Sequence, residues 1–251
     1  MSDRGSILIT GINGFIGSSL AKSIRKKGYD VWGLDISSNQ EKQTLGVNLL
    51  DKYALIKVCK NLPKCSFLIH TAALAHGQKP PKGETVISTN TKITDNILEL
   101  FEKKINHIIF FSSVAVYGEA NRKKPIFVND DLRPSTNYGK SKLLCEKKIM
   151  NSSFKNSIIL RSTPIYDQNN MRDICKRVYL PGFSSIRMIL IPSPQYSLAN
   201  IETVIDNTLV LLEKELKGHF IYNLSDLKTF SQKELTDWFS GKAIKIPVIL
   251  T

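Results

Sequence analysis

The chain has 251 residues, 42% of them hydrophobic, which suits one large domain or a domain with a small appendage. Its 35 Lys and Arg against 22 Asp and Glu leave a net charge of +13, spread over runs such as Arg25–Lys27, Arg122–Lys124, Lys147–Lys148 and Lys176–Arg177. With no helix-turn-helix, aromatic-interleaved basic strand or basic tail, nucleic acid is not the expected partner, and a diphosphate-bearing substrate or an anionic membrane surface is.

Ile7–Thr10 is an apolar run of strand length, followed directly by Gly11-Ile-Asn-Gly14-Phe-Ile-Gly17. Residues 18–27 then read as an amphipathic helix closed by Gly28. In such a strand–turn–helix, Gly11 permits the tight turn, Gly14 lets backbone approach a pyrophosphate, and Gly17 permits close helix–strand packing. Amides at the helix N-terminus then face the phosphates. The spacing is G-x-x-G-x-x-G rather than G-x-G-x-x-G. Asp30–Asp35 is the second strand, and Asp35 at its carboxyl end is suited to accept from both adenosine ribose hydroxyls. Ile36-Ser37-Ser38 offers no cation to a 2′-phosphate, so NAD is expected rather than NADP.

Further along, 46–47 reads as a short strand, 51–59 as a helix, 66–71 as a strand, 85–103 as a long helix and 107–114 as a buried strand. A helix carrying Tyr138 runs to about Met150, and 157–161 is another strand. Nearly continuous apolar strands alternating with helices imply a parallel sheet covered on both faces. Beyond Arg161, Pro164, Pro181, Pro192 and Pro194 break the pattern. A helix at 201–214, a strand at 219–224 and a capping box at Ser231–Glu234 follow. The expected domains are a dinucleotide-binding domain at 1–163, rejoined by 201–224, and a small substrate-binding lobe from 164–200 and 225–251.

Tyr138 and Lys142 stand one helical turn apart on one face, downstream of a strand ending in Ser112-Ser113. An ammonium beside a phenol favours the phenolate, which makes Tyr138 a candidate proton acceptor, with Ser113 holding the oxygen that loses the proton. Taken alone, Y-x-x-x-K also fits a solvated helix face in a Lys-rich chain. The four cysteines at 59, 65, 145 and 175 lack metal-ligand spacing, so no metal site is expected. They read as reduced thiols, and the N-terminus has no signal-peptide layout, which together point to the cytoplasm. His70, His76 and His107 have no partner pattern.

In this order the pieces resemble the extended short-chain dehydrogenase/reductases, the NAD-dependent sugar epimerases and dehydratases. The motifs are Thr10–Gly17, Asp35, Asn48-Leu-Leu-Asp51, His70-Thr-Ala-Ala73, Asn90, Phe111-Ser-Ser-Val-Ala-Val-Tyr-Gly118, Tyr138-Gly-Lys-Ser-Lys142 and Arg161, with Asn200–Val204 and Tyr222-Asn-Leu224 downstream. The resemblance implies an α/β fold, a Rossmann-type doubly wound parallel sheet with a small, partly truncated C-terminal substrate lobe. It implies that Tyr138 is the general base, that Lys142 holds the nicotinamide ribose and tunes Tyr138, and that Ser113 binds the reacting oxygen. It places NAD against Gly11, Asn13, Gly14, Phe15, Ile16, Gly17, Asp35, Asn48, Leu49, Thr71, Ala72, Ala73, Asn90, Ser112, Tyr138, Lys142 and Arg161. Asn48 stands where an Asp is usual, which leaves Asp51 as a helix cap, and His76 falls in a loop that touches substrate in relatives.

Sugar 4,6-dehydratases carry an acidic pair just after the catalytic Ser or Thr; here those positions are Val114 and Ala115, which do not shuttle protons. The resemblance therefore favours an epimerase that oxidises and re-reduces C4 of a UDP-linked or polyprenyl-diphosphate hexose through a transient 4-keto sugar, in cell-surface polysaccharide synthesis. Pro164 and Tyr166-Asp167-Gln168 resemble instead relatives that act on lipid-linked sugars or reduce 4-keto sugars, so a 4-keto-sugar reductase is the alternative. A non-catalytic dinucleotide-binding protein is the second. The implied partners are the sugar diphosphate, a peripheral membrane contact at the inner face, and a second copy in a homodimer. The dimer would form through helices 85–103 and 138–150, although Ile87, Ile93, Ile97 and Leu100 also suit packing on the parent sheet. The chain ends at Ile246–Thr251, before the final helices and the substrate-binding Arg that the resemblance implies.

Overall fold

The computed structural model describes residues 5–39, 42–60, 62–75, 78–118 and 125–247. His76, the basic run at 122–124 and the two chain ends lie outside the described residues. The chain divides into two compact units, one of residues 1–161 with 207–223 and the other of 162–206 with 224–251.

The first unit alternates strands and helices: β1 (Ser6–Thr10), α1 (Phe15–Lys26), β2 (Asp30–Asp35), β3 (Thr44–Gly46), α2 (Lys52–Cys59), β4 (Cys65–His70), α3 (Val86–Phe101), β5 (His107–Ser113), α4 (Asn137–Met150) and β6 (Asn156–Ser162). The second unit adds β7 (Ile165–Tyr166), α5 (Arg172–Val178), β8 (Ile186–Ile191), β9 (Gln195–Ser197) and β10 (Ala199–Asn200). Helix α6 (Ile201–Lys214) leads to β11 (His219–Leu224), after which come β12 (Thr229–Ser231), α7 (Gln232–Asp237) and β13 (Lys242–Pro247).

Seven strands form one sheet in the order β11-β6-β5-β4-β1-β2-β3. The pairs β1–β2, β1–β4, β2–β3 and β4–β5 are parallel. Strand order reverses between β1 and β4, which opens a crevice beyond their carboxyl ends, where open α/β sheets place their ligands. Ile7, Leu8, Ile9, Leu68 and Ile69 are fully buried, as a two-sided parallel sheet requires. Strand β11, read from sequence as rejoining the main sheet, lies at its edge beside β6.

In the second unit a smaller core gathers Ile174, Val178, Leu198 and Leu235. Strand β8 pairs in parallel with β13, more than fifty residues later. The buried side chain of Gln232 ties the pieces together, accepting from Leu190 N at 3.1 Å and donating to Arg177 O at 2.9 Å and Met188 O at 2.7 Å. Among the described residues no helix is long and apolar enough to cross a membrane.

Candidate active site

Ser113 is the last residue of β5 and caps the 3-10 turn Val114–Tyr117, its Oγ accepting from Ala115 N at 3.2 Å. Tyr138 lies in the first turn of α4, which Thr136 caps by accepting from Gly139 N at 3.0 Å. Gly139 brings that turn against the one after Ser113: a Cβ there would sit 2.5 Å from Ala115 O. Lys142 comes one turn later, its Nζ 5.8 Å from the centre of the Tyr138 ring, 4.7 Å from that of Phe110, and donating to Phe111 O at 2.8 Å. Its side chain is 3% exposed, and burial brings the ammonium down to about 8, against the pull of Cys145 and Glu146. The ammonium is thus mostly retained near neutral pH.

Beneath it lies His70, 1% exposed, with Nδ1 2.6 Å from Thr10 Oγ1. Burial, with Lys142 adding repulsion, lowers this imidazole to about 3, so it stays neutral beside the cation. Asn90 accepts from Leu74 N at 2.7 Å and donates to Ser141 Oγ at 2.9 Å, while Ser141 donates to Tyr138 O at 2.7 Å. The loop after β4, α3 and the Tyr138 turn are so linked.

At the nucleotide end, Gly11 has φ +72° and its N–H donates to Leu34 O at 2.8 Å. A Cβ at Gly11 would meet Ala72 backbone at 2.9 Å, and one at Gly17 would overlap Gly11 O at 2.2 Å. Asn13 is exposed, and Phe15 and Ile16 are half-buried in the first turn of α1. Helices α2, α3, α4 and α7 are capped by their own Asp51, Thr85, Thr136 and Ser231 side chains. Helix α1 starts at Gly14 with no side-chain cap and no acid in its first turn. Its first amides therefore face the crevice ready for an anion. Asp35 takes Asn13 N on one oxygen and Ile36 N on the other, at 2.9 and 2.8 Å. Each carboxylate oxygen keeps a second lone pair for a ribose hydroxyl. Thr71, Ala72 and Ala73 follow β4 across the crevice, with Thr71 Oγ1 donating to Thr10 O at 2.7 Å. These features fit a dinucleotide.

Several residues expected at the cofactor already have partners within the protein. Asn48 is exposed, bonding Leu50 N through Oδ1, and Leu49 packs in the core. Asn90, Ser112 and Arg161 are buried, and their side chains are hydrogen-bonded inside the protein. Asp51 caps α2 through Ala54 N at 3.0 Å, as expected.

Residues 7–175 match the NAD dependent epimerase/dehydratase family. The chain belongs to this family. It is 26% identical over 246 residues to a UDP-glucose 4-epimerase of Vibrio cholerae, covering 92% of this chain and 73% of that protein. It is 23% identical over 239 residues to the N-acetyl-alpha-D-glucosaminyl-diphospho-ditrans,octacis-undecaprenol 4-epimerase of Escherichia coli O157:H7, covering 92% and 70%. Of several other curated relatives that it matches, the chain spans about half the length. Among solved structures it is similar to the Helicobacter pylori ADP-L-glycero-D-manno-heptose-6-epimerase, with TM-score 0.78 and 22% identity over 98% of this chain and 87% of that one. As a member of the epimerase family the protein is an NAD-dependent enzyme with the family's Rossmann fold.

One buried neighbour of Lys142 was not singled out from the sequence. Glu146 lies one turn beyond Lys142, buried, and holds Arg161 in a bidentate pair. Its signal was spacing: Tyr138, Lys142 and Glu146 repeat every four residues on one helix face.

Proposed function

We propose that this epimerase-family protein inverts C4 of a hexose carried on a diphosphate. The observation that supports it most is the approach of Tyr138 and Lys142 to the turn at Ser113, with only Val114 and Ala115 after that serine. Tyr138 accepts the proton of the C4 hydroxyl, and the Ser113 hydroxyl holds the same oxygen. Lys142 favours the phenolate by its charge. Bound NAD supplies the acceptor and donor of hydride. The residues that would hold it are the 11–17 turn, Asp35 and Thr71–Ala73, with Lys142 at the nicotinamide ribose.

Two carriers fit this reading. The Vibrio relative is a UDP-sugar enzyme and the E. coli relative acts on a polyprenyl-linked N-acetylhexosamine. The excess of 35 basic over 22 acidic residues supports work at the inner face of an anionic membrane as well as in the cytoplasm. A 4-keto-sugar reductase using the same residues once is the second reading, favoured by Pro164 and Tyr166-Asp167-Gln168 after Arg161.

The test is turnover of UDP-hexoses, UDP-N-acetylhexosamines and their polyprenyl-diphosphate counterparts with NAD, with products read by NMR. C4 inversion without net reductant is expected, and Tyr138→Phe should lower it by about 100-fold or more. Stoichiometric consumption of NADH or NADPH would establish the reductase instead, and wild-type turnover by a folded Tyr138→Phe protein would remove the general-base assignment.

A further inference from the structure

The end of β5 is held by two residues of α4, one turn apart. Lys142 donates to the carbonyl of Phe111, and the hydroxyl of the next residue, Ser112, donates to Glu146. Ser113 comes immediately after. Glu146 is itself fixed from β6 by Arg161, whose Nη2 lies 2.8 Å from Oε2 and whose Nε lies 3.1 and 3.2 Å from the two oxygens. The same guanidinium donates to Tyr117 Oη at 2.8 Å and to Val128 O at 3.1 Å. Tyr117 closes the turn that Ser113 opens, and its hydroxyl donates to Asn223 Oδ1 at 2.7 Å. Both side chains of the ion pair are 3% exposed.

Ser113 is therefore bracketed. The residue before it is tied to the carboxylate, and the turn after it is tied to the guanidinium. A buried ion pair adds little net stability over a well-packed apolar pair, but removing one partner leaves an uncompensated charge. What an apolar pair cannot reproduce here is the directed bonding to Ser112 and Tyr117.

We propose that the Glu146–Arg161 pair is a positioning device that sets the place of Ser113 relative to Tyr138, beyond any contribution to stability. Its catalytic meaning rests on the epimerase reading above. A displacement of about 1 Å between reacting groups costs on the order of 100-fold in rate.

The test compares wild type with E146L/R161M, which replaces both charges by apolar groups of similar size, and with S112A/Y117F, which leaves the pair intact but cuts its ties. Thermal unfolding, kcat and KM for the sugar, and the amide NMR resonances of Ser113 and Ala115 in the protein alone are measured. Both variants should fold but unfold some degrees below wild type, because buried partners of the removed groups lose a hydrogen bond, and should lose about 10–100-fold in kcat with KM little changed and show a displaced Ala115 resonance. Should E146L/R161M fail to fold, S112A/Y117F decides by the same readouts. Wild-type kcat in a folded variant, or an unmoved Ala115 resonance, would overturn the proposal. Failure of the wild type to turn over any sugar would sink the functional reading instead, while the resonances still decide the positioning.

Discussion

We propose that Asp35, the last residue of β2, sets the choice between NAD(H) and NADP(H). Its carboxylate stands at the end of β2 with two backbone amides on it, and Ile36, Ser37 and Ser38 bring no positive charge. A 2′-phosphate there would meet a like charge, so NAD(H) should bind on the order of tenfold or more tighter than NADP(H), about 1.4 kcal/mol. Titrating both into the purified protein checks this; tighter NADP(H) binding would mean that Asp35 does not face the ribose. His70 gives a pH test. Its folded value of about 3 lies below the ordinary 6.5, so unfolding takes up a proton between those limits and stability falls as pH drops through them. At pH 5 the loss from this group is about 2 kcal/mol relative to pH 7. Denaturant unfolding of wild type and His70→Asn at both pH values should show the excess loss in the wild type alone. An equal loss in both would show that His70 is not buried neutral. The glycine turn, Asp35 and the Tyr138–Lys142 pair were legible because their chemistry is local in sequence. Glu146 offered only its four-residue spacing from Lys142, because its partners Ser112 and Arg161 arrive from other strands, and in the sequence it stands beside Lys147 and Lys148 like any solvated helix residue.

At the scale of elements, the contact between α4 and the 3-10 turn sets the site. Gly→Ala in a helix usually gains about 1 kcal/mol. At Gly139 the added Cβ would lie 2.5 Å from Ala115 O, backbone that cannot yield cheaply, so here the clash wins. Gly139→Ala should lower both the unfolding temperature and kcat, the latter by about tenfold or more. A stabilised, fully active Gly139→Ala protein would show that the helix does not pack so closely. Strands β1, β4, β5 and β6 were readable as nearly continuous apolar runs because the sheet is covered on both faces, and β2 by its distance from the glycine turn. Helix α1 begins three residues earlier than the expected 18, since Gly14 serves as its N-cap. Helix α5 and strand β8 went unread among the prolines. Strand β8 depends on β13, far away in sequence, and on the buried amide of Gln232, and neither leaves a periodic trace.

Ile97 is fully buried, and Ile93 and Leu100 pack on the core of their own unit. The exposed residues of α3 and α4 are Lys92, Asp95, Glu99, Asn137, Lys140, Leu144 and Lys147, with Lys148 bridging Asp95 at 2.7 Å. A homodimer through these helices, which we propose from the family resemblance, would thus rest on polar contacts and should dissociate at high salt. Light scattering at micromolar protein in low and high salt checks it, and a monomer in both would refute it. A sugar deuterated at C4 tests the proposed inversion at that carbon most directly. Incubated with the protein and NAD in ordinary water, it should give the C4 epimer with deuterium retained at that carbon and no net reductant consumed. Loss of the deuterium to solvent, or inversion only with stoichiometric NADH, would contradict it.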